Sequence, residues 1–259
     1  MANKKRIAII TGGCGLFGKL QIKALEEINC KVIVIDIDKK KISKLKLIKE
    51  FKNVEFFECD ITNYENILKI KKKIFKKYNQ VDVLVNNAAN DIVPKKKINS
   101  KLSIYNLDIH NLINDINVGL IGAIYCSKIF GEQMIKKKNG IILNISSDLS
   151  VIAPDQRLYS HLGISKPVSY SVTKHGLTGL TKYLASFWAK QNVRVNSFSP
   201  GGIYNNQDKL FVEKIKNLIP MGRMANKTEY KKTIQFLCSD DSSYMTGQNI
   251  VSDGGRSII

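Results

Sequence analysis

The chain of 259 residues is long enough for one well-buried domain and short for two, and its hydrophobic fraction of 44% is typical of a globular protein. Its net charge of +19 comes mainly from lysines in short runs spread over the whole length, with few aromatic side chains between them that could stack on bases. We therefore expect a solvated basic surface and no nucleic-acid partner. Because no apolar run approaches membrane-spanning length, we expect no membrane partner either.

The first predicted strand, at residues 6–10, runs into a glycine-rich turn and then into a helical pattern. Glycines in this position let the backbone approach a pyrophosphate, and the N–H groups that open the next helix face the anion. Spaced glycines alone are a weak signal, but their place between a strand and a helix makes the motif strong. The residues that we assign to this phosphate-binding turn are Gly12, Gly15, Leu16, Phe17 and Gly18.

The second predicted strand, at residues 32–36, ends in a carboxylate, Asp36. A carboxylate there accepts hydrogen bonds from both ribose hydroxyls of an adenosine and repels a 2′-phosphate, so the sequence favours NAD over NADP. Lys39, Lys40 and Lys41 follow closely and keep NADP open as an alternative. Asp36 as an ordinary strand-end residue or helix cap is the other alternative.

Apolar runs alternate with helical patterns along the chain, with no linker or internal repeat. Runs of Ile and Val without polar alternation are typical of strands buried on both faces, which means a parallel sheet covered by helices. The pattern predicts an α/β fold, a three-layer doubly wound parallel sheet of the Rossmann type, in a single domain over 1–259. The seven predicted strands are 6–10, 32–36, 54–58, 81–86, 140–145, 193–198 and 249–252; the predicted helices are 16–28, 40–50, 64–77, 109–136, 170–190 and 226–238.

Two more strand ends carry candidate cofactor residues. Asp60 and Ile61 follow the third strand, where the carboxylate can meet an adenine amine. Asn87 and Ala88 follow the fourth strand, where small side chains let a cofactor lie close to the backbone. An ordinary strand end followed by a turn is the alternative at the fourth strand.

A candidate catalytic pair opens the helix predicted after the fifth strand. Tyr170 and Lys174 are four residues apart and share one helix face, and an ammonium near the phenol lets the tyrosine exchange a proton near neutral pH. The fifth strand ends in Ser146 and Ser147, whose hydroxyls can orient a carbonyl or cap a turn. Asn117 lies inside the long helix before that strand, where an amide is disfavoured unless its side chain or a distorted backbone has a role.

Taken together and in order, these motifs resemble the short-chain dehydrogenase/reductase superfamily along essentially the whole chain. The resemblance implies a catalytic tetrad of Asn117, Ser147, Tyr170 and Lys174, with Ser147 chosen because the second serine of such a pair is usually the catalytic one. It also implies that Tyr170 and Lys174 contact a nicotinamide cofactor. The residues that it sets beside the nicotinamide are Pro200, Gly201 and Ile203, within the stretch Ser199-Pro200-Gly201-Gly202-Ile203.

Two segments, near 148–169 and 204–224, are predicted lids over this site, and both are rich in polar side chains. The first is longer than usual for the compact branch of the family, and a plain surface excursion is the alternative. Arg157 and Tyr159 are the candidate substrate residues, with Ser147 and Tyr170. Arg157 can hold a phosphate or carboxylate bidentately, or it can pair with Asp155 and only fasten the lid.

The chain is also loosely similar to dehydrogenases linked to flagellin or surface-glycan sugar biosynthesis. We therefore expect an oxidoreductase that moves a hydride between NAD, or alternatively NADP, and a secondary alcohol or ketone of a polar, anionic sugar or sugar phosphate. A 3-oxoacyl-thioester ketoreductase of the same fold is the rival enzyme. A non-catalytic NAD-sensing or regulatory protein is the rival from another class, against which an intact Tyr170–Lys174 pair argues.

Five scattered cysteines without a C-x-x-C pair predict reduced thiols and a cytoplasmic protein. A first strand that begins at Arg6 leaves no room for a signal peptide. The three histidines lack ligand-like spacing, so we expect no metal site. The predicted helices 109–136 and 170–190 are apolar on more than one side, which together with the family resemblance predicts a homodimer or homotetramer.

Overall fold

Seven strands form one parallel sheet in the computed structural model, which describes residues 5–90 and 104–259. The sheet order is β3-β2-β1-β4-β5-β6-β7, and all neighbouring strands pair in parallel. The prediction of a seven-stranded, doubly wound sheet of the Rossmann type is confirmed. The strands are β1 Arg6–Thr11, β2 Cys30–Asp36, β3 Glu55–Glu58, β4 Val83–Asn86, β5 Gly140–Ile145, β6 Val193–Pro200 and β7 Asn249–Ser252.

Helices cover both faces of the sheet and give the three layers. One hydrophobic core packs α1, α2 and α8 on one face, and a second packs α3, α5 and α6 on the other. The strands are buried between them, with every residue of β4 and β5 buried, because their Ile, Val and Leu side chains contact helices on both sides. The helices are α1 Leu16–Glu27, α2 Lys39–Lys46, α3 Tyr64–Tyr78, α4 Ile109–Ile116, α5 Gly122–Lys137, α6 Val168–Trp188, α7 Lys209–Lys216 and α8 Lys231–Leu237.

Four helices differ from the prediction. The predicted helix 40–50 ends earlier, at Lys46 of α2, and a separate 3-10 turn follows at Lys49–Phe51. The predicted helix 109–136 is interrupted by a π-helical turn, Asn117–Ile121, closed by the hydrogen bond from the Gly122 N–H to the Asn117 carbonyl. Helix α7 was not predicted, although the Asp208 side chain caps it and Phe211 and Ile215 are buried on one face. The predicted helix 226–238 is shorter, because its first residues form a turn in which Glu229 accepts a hydrogen bond from the Asn226 N–H at 2.6 Å.

The sheet reverses its strand order between β1 and β4, which are neighbours although two strands lie between them in sequence. At such a switch point, the loops that leave the carboxyl ends of the two strands run to opposite faces and open a crevice. The opposite edge is made of tight helix-to-strand turns. Four of them contain a residue in the left-handed conformation: Asn29, Asn79, Lys138 and Asn192.

Among the described residues, no helix is both long and apolar enough to cross a membrane.

Candidate active site

A cleft with a volume of about 600 Å³ opens at the carboxyl ends of the strands, over the switch point. The structure brings the predicted cofactor residues together along its walls, although they come from five different strand ends and from helix α6. The predicted cofactor residues that line the cleft are Gly12, Gly15, Leu16, Phe17, Gly18, Asp36, Asp60, Ile61, Asn87, Ala88, Tyr170, Lys174, Pro200, Gly201 and Ile203.

The glycine turn has the geometry that a pyrophosphate needs. Gly12 has a φ of +64°, and a side chain there would come within 2.7 Å of the Ala88 Cα, so only glycine fits. Helix α1 begins after Gly15 without a side-chain cap and with no acidic residue in its first turn. Its first N–H groups therefore face the cleft as donors for an anion. These features fit the diphosphate of a nicotinamide dinucleotide.

Asp36 lies at the end of β2 with its carboxylate buried in the cleft wall. One carboxylate oxygen accepts the Cys14 N–H at 2.9 Å and the other accepts the Asp38 N–H at 3.0 Å. Each oxygen keeps a further lone pair, which matches two ribose hydroxyls. Burial, together with the negative charge of Asp36, raises the pKa of the Cys14 thiol to about 12, so this neighbour stays neutral. Lys41, also in the cleft wall, pairs with Asp38 at 3.1 Å.

Asn87 fastens the end of β4 to the glycine turn. Its side-chain amide donates to the carbonyls of Thr11 and Gly12, both at 3.0 Å, and its side-chain oxygen accepts from Gln21 at 2.8 Å. Its side-chain polar atoms therefore hold the glycine turn in shape at the wall of the cleft. Asp60 has a comparable local role, because it accepts the Thr62 N–H at 2.8 Å and the Thr62 hydroxyl at 2.7 Å.

Tyr170 and Lys174 lie on the first turns of α6 and both line the cleft. The Lys174 ammonium is buried, donates to the Ile145 carbonyl at 2.8 Å and lies 5.5 Å from the centre of the Tyr170 ring. A second ammonium, that of Lys166, lies 3.7 Å from the same ring centre. Two cations beside one phenol ring stabilise a negative charge on its oxygen.

The two serines after β5 have different partners. The Ser146 hydroxyl donates to the Lys174 carbonyl at 2.8 Å and so fastens β5 to α6. The Ser147 hydroxyl donates to Asp148 at 2.8 Å and accepts the Leu149 N–H at 3.2 Å. Ser147 therefore has a hydroxyl that a ligand in the cleft can share, whereas that of Ser146 is committed to the backbone.

Asn117 lies in the π-helical turn, next to Val118, which lines the cleft, but Asn117 itself does not line it. The turn packs closely on α6, since a side chain at Gly119 would collide with Thr173. The π-helical turn is a distorted backbone at Asn117, which is one of the two explanations that the sequence left open for this residue. A π-helical turn frees backbone carbonyls from the regular helix pattern, which suits a residue that holds a water molecule.

Arg157 does not lie in the cleft. Its side chain is 86% exposed and pairs with Asp155, with its Nη2 and Nε 2.7 and 2.9 Å from the carboxylate oxygens. The alternative in which Arg157 only fastens the segment is the one that fits this geometry. The reason is local, because a carboxylate two residues away satisfies the planar guanidinium without any long-range contact. Tyr159, in contrast, is buried in the cleft wall and packs on Phe211, with ring centres 5.5 Å apart.

The segments 148–169 and 204–224 pack against each other. Their apolar side chains form a hydrophobic cluster separate from the two cores of the sheet. His161 of the first segment and Asp208 of the second lie 2.7 Å apart. The buried members of this cluster are Leu158, Tyr159, Leu162, Ile164, Phe211, Ile215, Ile219 and Met224.

A buried ion pair beside Ser147 was not predicted. Asp148, whose other oxygen accepts from Ser147, receives the Arg256 Nη1 at 2.7 Å, and both charged residues line the cleft. Asp148 is 3% exposed and Arg256 is 8% exposed. The sequence signals polar character at Asp148, but nothing in it indicates that Arg256, more than one hundred positions later, reaches the same point.

Comparisons with known proteins agree with this site. A family model described as "Enoyl-(Acyl carrier protein) reductase" matches residues 18–257. The chain is 31% identical to the 3-oxoacyl-[acyl-carrier-protein] reductase FabG of Thermotoga maritima, covering 96% of this chain and 97% of that protein. It is also 31% identical to the post-translational flagellin modification protein A of Campylobacter coli, covering 97% and 98%.

A solved short-chain dehydrogenase from Leptospira borgpetersenii with bound NAD+ has the same fold, with a TM-score of 0.85 and 29% identity over 98% of this chain and 93% of that one. The sheet order, the cleft at the switch point and these matches all agree. The chain belongs to the short-chain dehydrogenase/reductase superfamily of NAD(P)-dependent oxidoreductases.

Proposed function

We propose that this protein is an NAD-dependent dehydrogenase or reductase that acts on a secondary alcohol or ketone of a sugar or sugar phosphate. The observation that carries the proposal is the charged lining around Ser147. Asp148, Lys166 and Arg256 all line this end of the cleft. Pockets for steroids or fatty-acyl chains are lined mainly by apolar groups, whereas a polyhydroxy substrate offers hydrogen-bonding partners for these side chains.

The residues at the other end of the cleft support NAD as the cofactor. A 2′-phosphate next to the Asp36 carboxylate would bring two anions together in a partly buried site. Lys41, the lysine of the run 39–41 that lines the cleft, is already paired with Asp38. When bound, the cofactor supplies or accepts a hydride; Pro200, Gly201 and Ile203 would flank its nicotinamide.

The proton moves at the Tyr170 hydroxyl in this proposal. Tyr170 gives its proton to the substrate oxygen during reduction and takes it back during oxidation, and the ammonium of Lys174 stabilises the intervening phenolate. Ser147 holds the substrate oxygen by a hydrogen bond, for which its hydroxyl has to share or leave Asp148. Asn117, in the π-helical turn, holds a water molecule that relays protons to Lys174.

The names of the relatives suggest two substrate classes. The Campylobacter coli protein modifies flagellin, which suits an enzyme of sugar biosynthesis, and the Thermotoga maritima protein reduces acyl-carrier thioesters. We favour the sugar because Lys166 and Arg256 line the cleft beside Ser147.

The segments 148–169 and 204–224 act together as a lid over a single nucleotide-binding domain. Their common hydrophobic cluster supports this proposal.

We also propose a homodimer or homotetramer. Helices α4 and α6 expose Ile109, Ile113, Tyr183 and Phe187, the last two 64% and 67% exposed, and large exposed apolar side chains on these helices indicate a contact surface. The five cysteines are buried free thiols, which supports a reducing compartment such as the cytoplasm.

A reduction assay tests the proposed activity. Purified protein is incubated with NAD+ or NADP+ and a panel of polyols, sugars and sugar phosphates, and with NADH or NADPH and an acetoacetyl thioester, with Tyr170→Phe as the control. NADH formation on a sugar or sugar phosphate that is lost in the control supports the proposal. Turnover of the thioester with NADPH alone supports the ketoreductase. Cofactor binding without turnover on any compound supports the non-catalytic alternative.

A further inference from the structure

The charges that line the cleft differ between its two ends. Among the described residues, the adenosine end carries the carboxylates of Asp36, Asp38 and Asp60 with one lysine, Lys41. The end around Ser147 carries, within the same described part of the chain, one carboxylate, Asp148, with three cations, which are Lys166, Lys174 and Arg256. In a protein whose net charge is +19, the Ser147 end is therefore the electropositive part of the cleft.

Arg256 reaches this end because the chain turns sharply just before it. Asp253 shapes the turn, since its two carboxylate oxygens accept the N–H groups of Gly255 at 3.0 Å and Ser257 at 2.7 Å. Gly254 and Gly255 both have positive φ values, +69° and +88°, which non-glycine residues rarely adopt. The turn is held by side-chain and backbone constraints, so the position of Arg256 is built into the fold.

The ion pair of Arg256 uses only part of its hydrogen-bonding capacity. A guanidinium has five N–H donors, and in the part of the chain that the structure describes, its side-chain acceptor is Asp148, reached through Nη1 alone at 2.7 Å. Asp148 also accepts a hydrogen bond from Ser147, so its carboxylate places Arg256 close to the Ser147 hydroxyl. A residue that only fastened the C-terminal turn would not need to line the cleft.

We propose that Arg256 is the substrate-specificity residue of this enzyme, and that its free donors bind a carboxylate or phosphate group of the substrate. The planar guanidinium binds either group through two parallel hydrogen bonds, and Asp148 holds it at a fixed distance from Ser147. The anion-binding role that the sequence suggested for Arg157 thus falls to Arg256. The inference rests on the proposed function only in taking the substrate to react beside Ser147.

Binding measurements test this without turnover. D-Gluconate, D-glucitol 6-phosphate and the neutral D-glucitol are each titrated by calorimetry into protein saturated with NADH, with which these alcohols cannot react. The variants are Arg256→Met, Asp148→Asn and the double variant. The double variant covers the case in which Arg256→Met leaves a buried, unpaired carboxylate and fails to fold. Arg157→Met is the matched control, because it removes an arginine that is also paired with an aspartate but lies outside the cleft.

The anion that binds more tightly to the wild type identifies carboxylate or phosphate as the natural group. For that anion, we expect the dissociation constant to rise at least about tenfold in Arg256→Met and in the double variant. Asp148→Asn should bind it more tightly than the wild type, because the guanidinium loses its competing carboxylate. D-Glucitol should lose much less affinity than the anion in Arg256→Met and in the double variant, because it offers the guanidinium no charge, and Arg157→Met should match the wild type.

Unchanged anion binding without Arg256 would overturn the inference, and so would an equal loss for the anions and D-glucitol, which indicates a structural role. Sugar turnover together with unchanged anion binding would refute this inference and leave the proposed function standing. Arg256-dependent anion binding in a protein that turns over only the thioester would refute the proposed function and leave this inference standing.

Discussion

The Asp36 carboxylate accepts the backbone N–H of Cys14 at 2.9 Å, and this bond joins the end of β2 to the glycine turn after β1. The proposed ribose-binding group and the proposed phosphate-binding turn are therefore linked directly. A shift of the turn moves the carboxylate with it. In our proposal, cofactor choice consequently depends on a geometry that spans 22 positions in sequence.

We predict that NAD(H) binds more tightly than NADP(H), and that Asp36→Ser narrows or reverses this difference. Serine removes the charge that repels a 2′-phosphate and leaves Lys41 nearby. Calorimetric titration of both cofactors into both proteins measures the effect, and Asp60→Ser serves as a control carboxylate in the same cleft. Equal affinities of the wild type for the two cofactors would contradict the prediction.

Tyr170→Phe should lower turnover by about 10²–10⁴-fold, because it removes the proton-transferring hydroxyl and little else. Cofactor affinity should be nearly unchanged. Lys174→Ala should lower both turnover and cofactor affinity, since this ammonium lies against both the Tyr170 ring and the strand end. Steady-state kinetics and cofactor titration separate the two cases. A Tyr170→Phe protein with a near-normal rate on its true substrate would refute the assignment.

The fold could be predicted because the strand sequences are unambiguous. Runs such as that of β5, buried at every position, have the same meaning in almost any context, and the ends of parallel strands meet at one edge. The candidate cofactor residues between Gly12 and Ala88 followed from the same argument, whereas those expected beside the nicotinamide came from the family resemblance. Ser147 could be chosen over Ser146 only by resemblance; the bond from the Ser146 hydroxyl to the Lys174 carbonyl supports that proposal.

Arg157 and Arg256 mark the limit of that approach. Sequence composition identifies an arginine that can bind an anion, but it does not decide which partner the side chain finds in space. Asp155 lies two residues from Arg157 and forms an ion pair with it. Arg256, in contrast, reaches the cleft through a turn that depends on Asp253 and on two glycines with positive φ.

For Arg157→Met, we accordingly expect no change in KM for an anionic substrate. The side chain is exposed and its charge is already paired outside the cleft, and surface pairs of this kind contribute little. Initial rates with an anionic and a neutral substrate test this, and Asp155→Asn breaks the same pair from the other side. A rise in KM confined to the anionic substrate in the Arg157 variant would restore the original assignment.

We predict a dimer or tetramer by light scattering at micromolar concentration. Tyr183 and Phe187 stack on each other with ring centres 5.9 Å apart and are largely exposed, so an interface there would bury both rings. The double variant Tyr183→Glu, Phe187→Glu should form a smaller species with an unchanged circular dichroism spectrum, because like charges at a contact repel. Tyr244→Glu, an exposed aromatic residue elsewhere, controls for surface charge. A monomeric wild type would contradict the prediction.

Lys138→Gly should stabilise the protein by about 1 kcal/mol and raise Tm by a few degrees. Lys138 ends α5 with φ +52° and ψ +39°, a conformation that costs free energy for a residue with a Cβ and none for glycine. Thermal denaturation measures the gain. Asn29→Gly is the comparison, because asparagine already tolerates the same conformation, and its gain should be smaller. Destabilisation by Lys138→Gly would show that its side chain contributes more than the strain costs.

The turn that places Arg256 in the cleft also determines where a tag or a support can be attached without lying near the cleft. The described chain continues from Arg256 for three residues to Ile259, so a fusion partner, affinity tag or surface linkage attached there would begin beside the substrate entrance. Strand β1 starts at the opposite edge of the sheet. Attachment ahead of Arg6 keeps a label or a solid support on the far side from the chemistry.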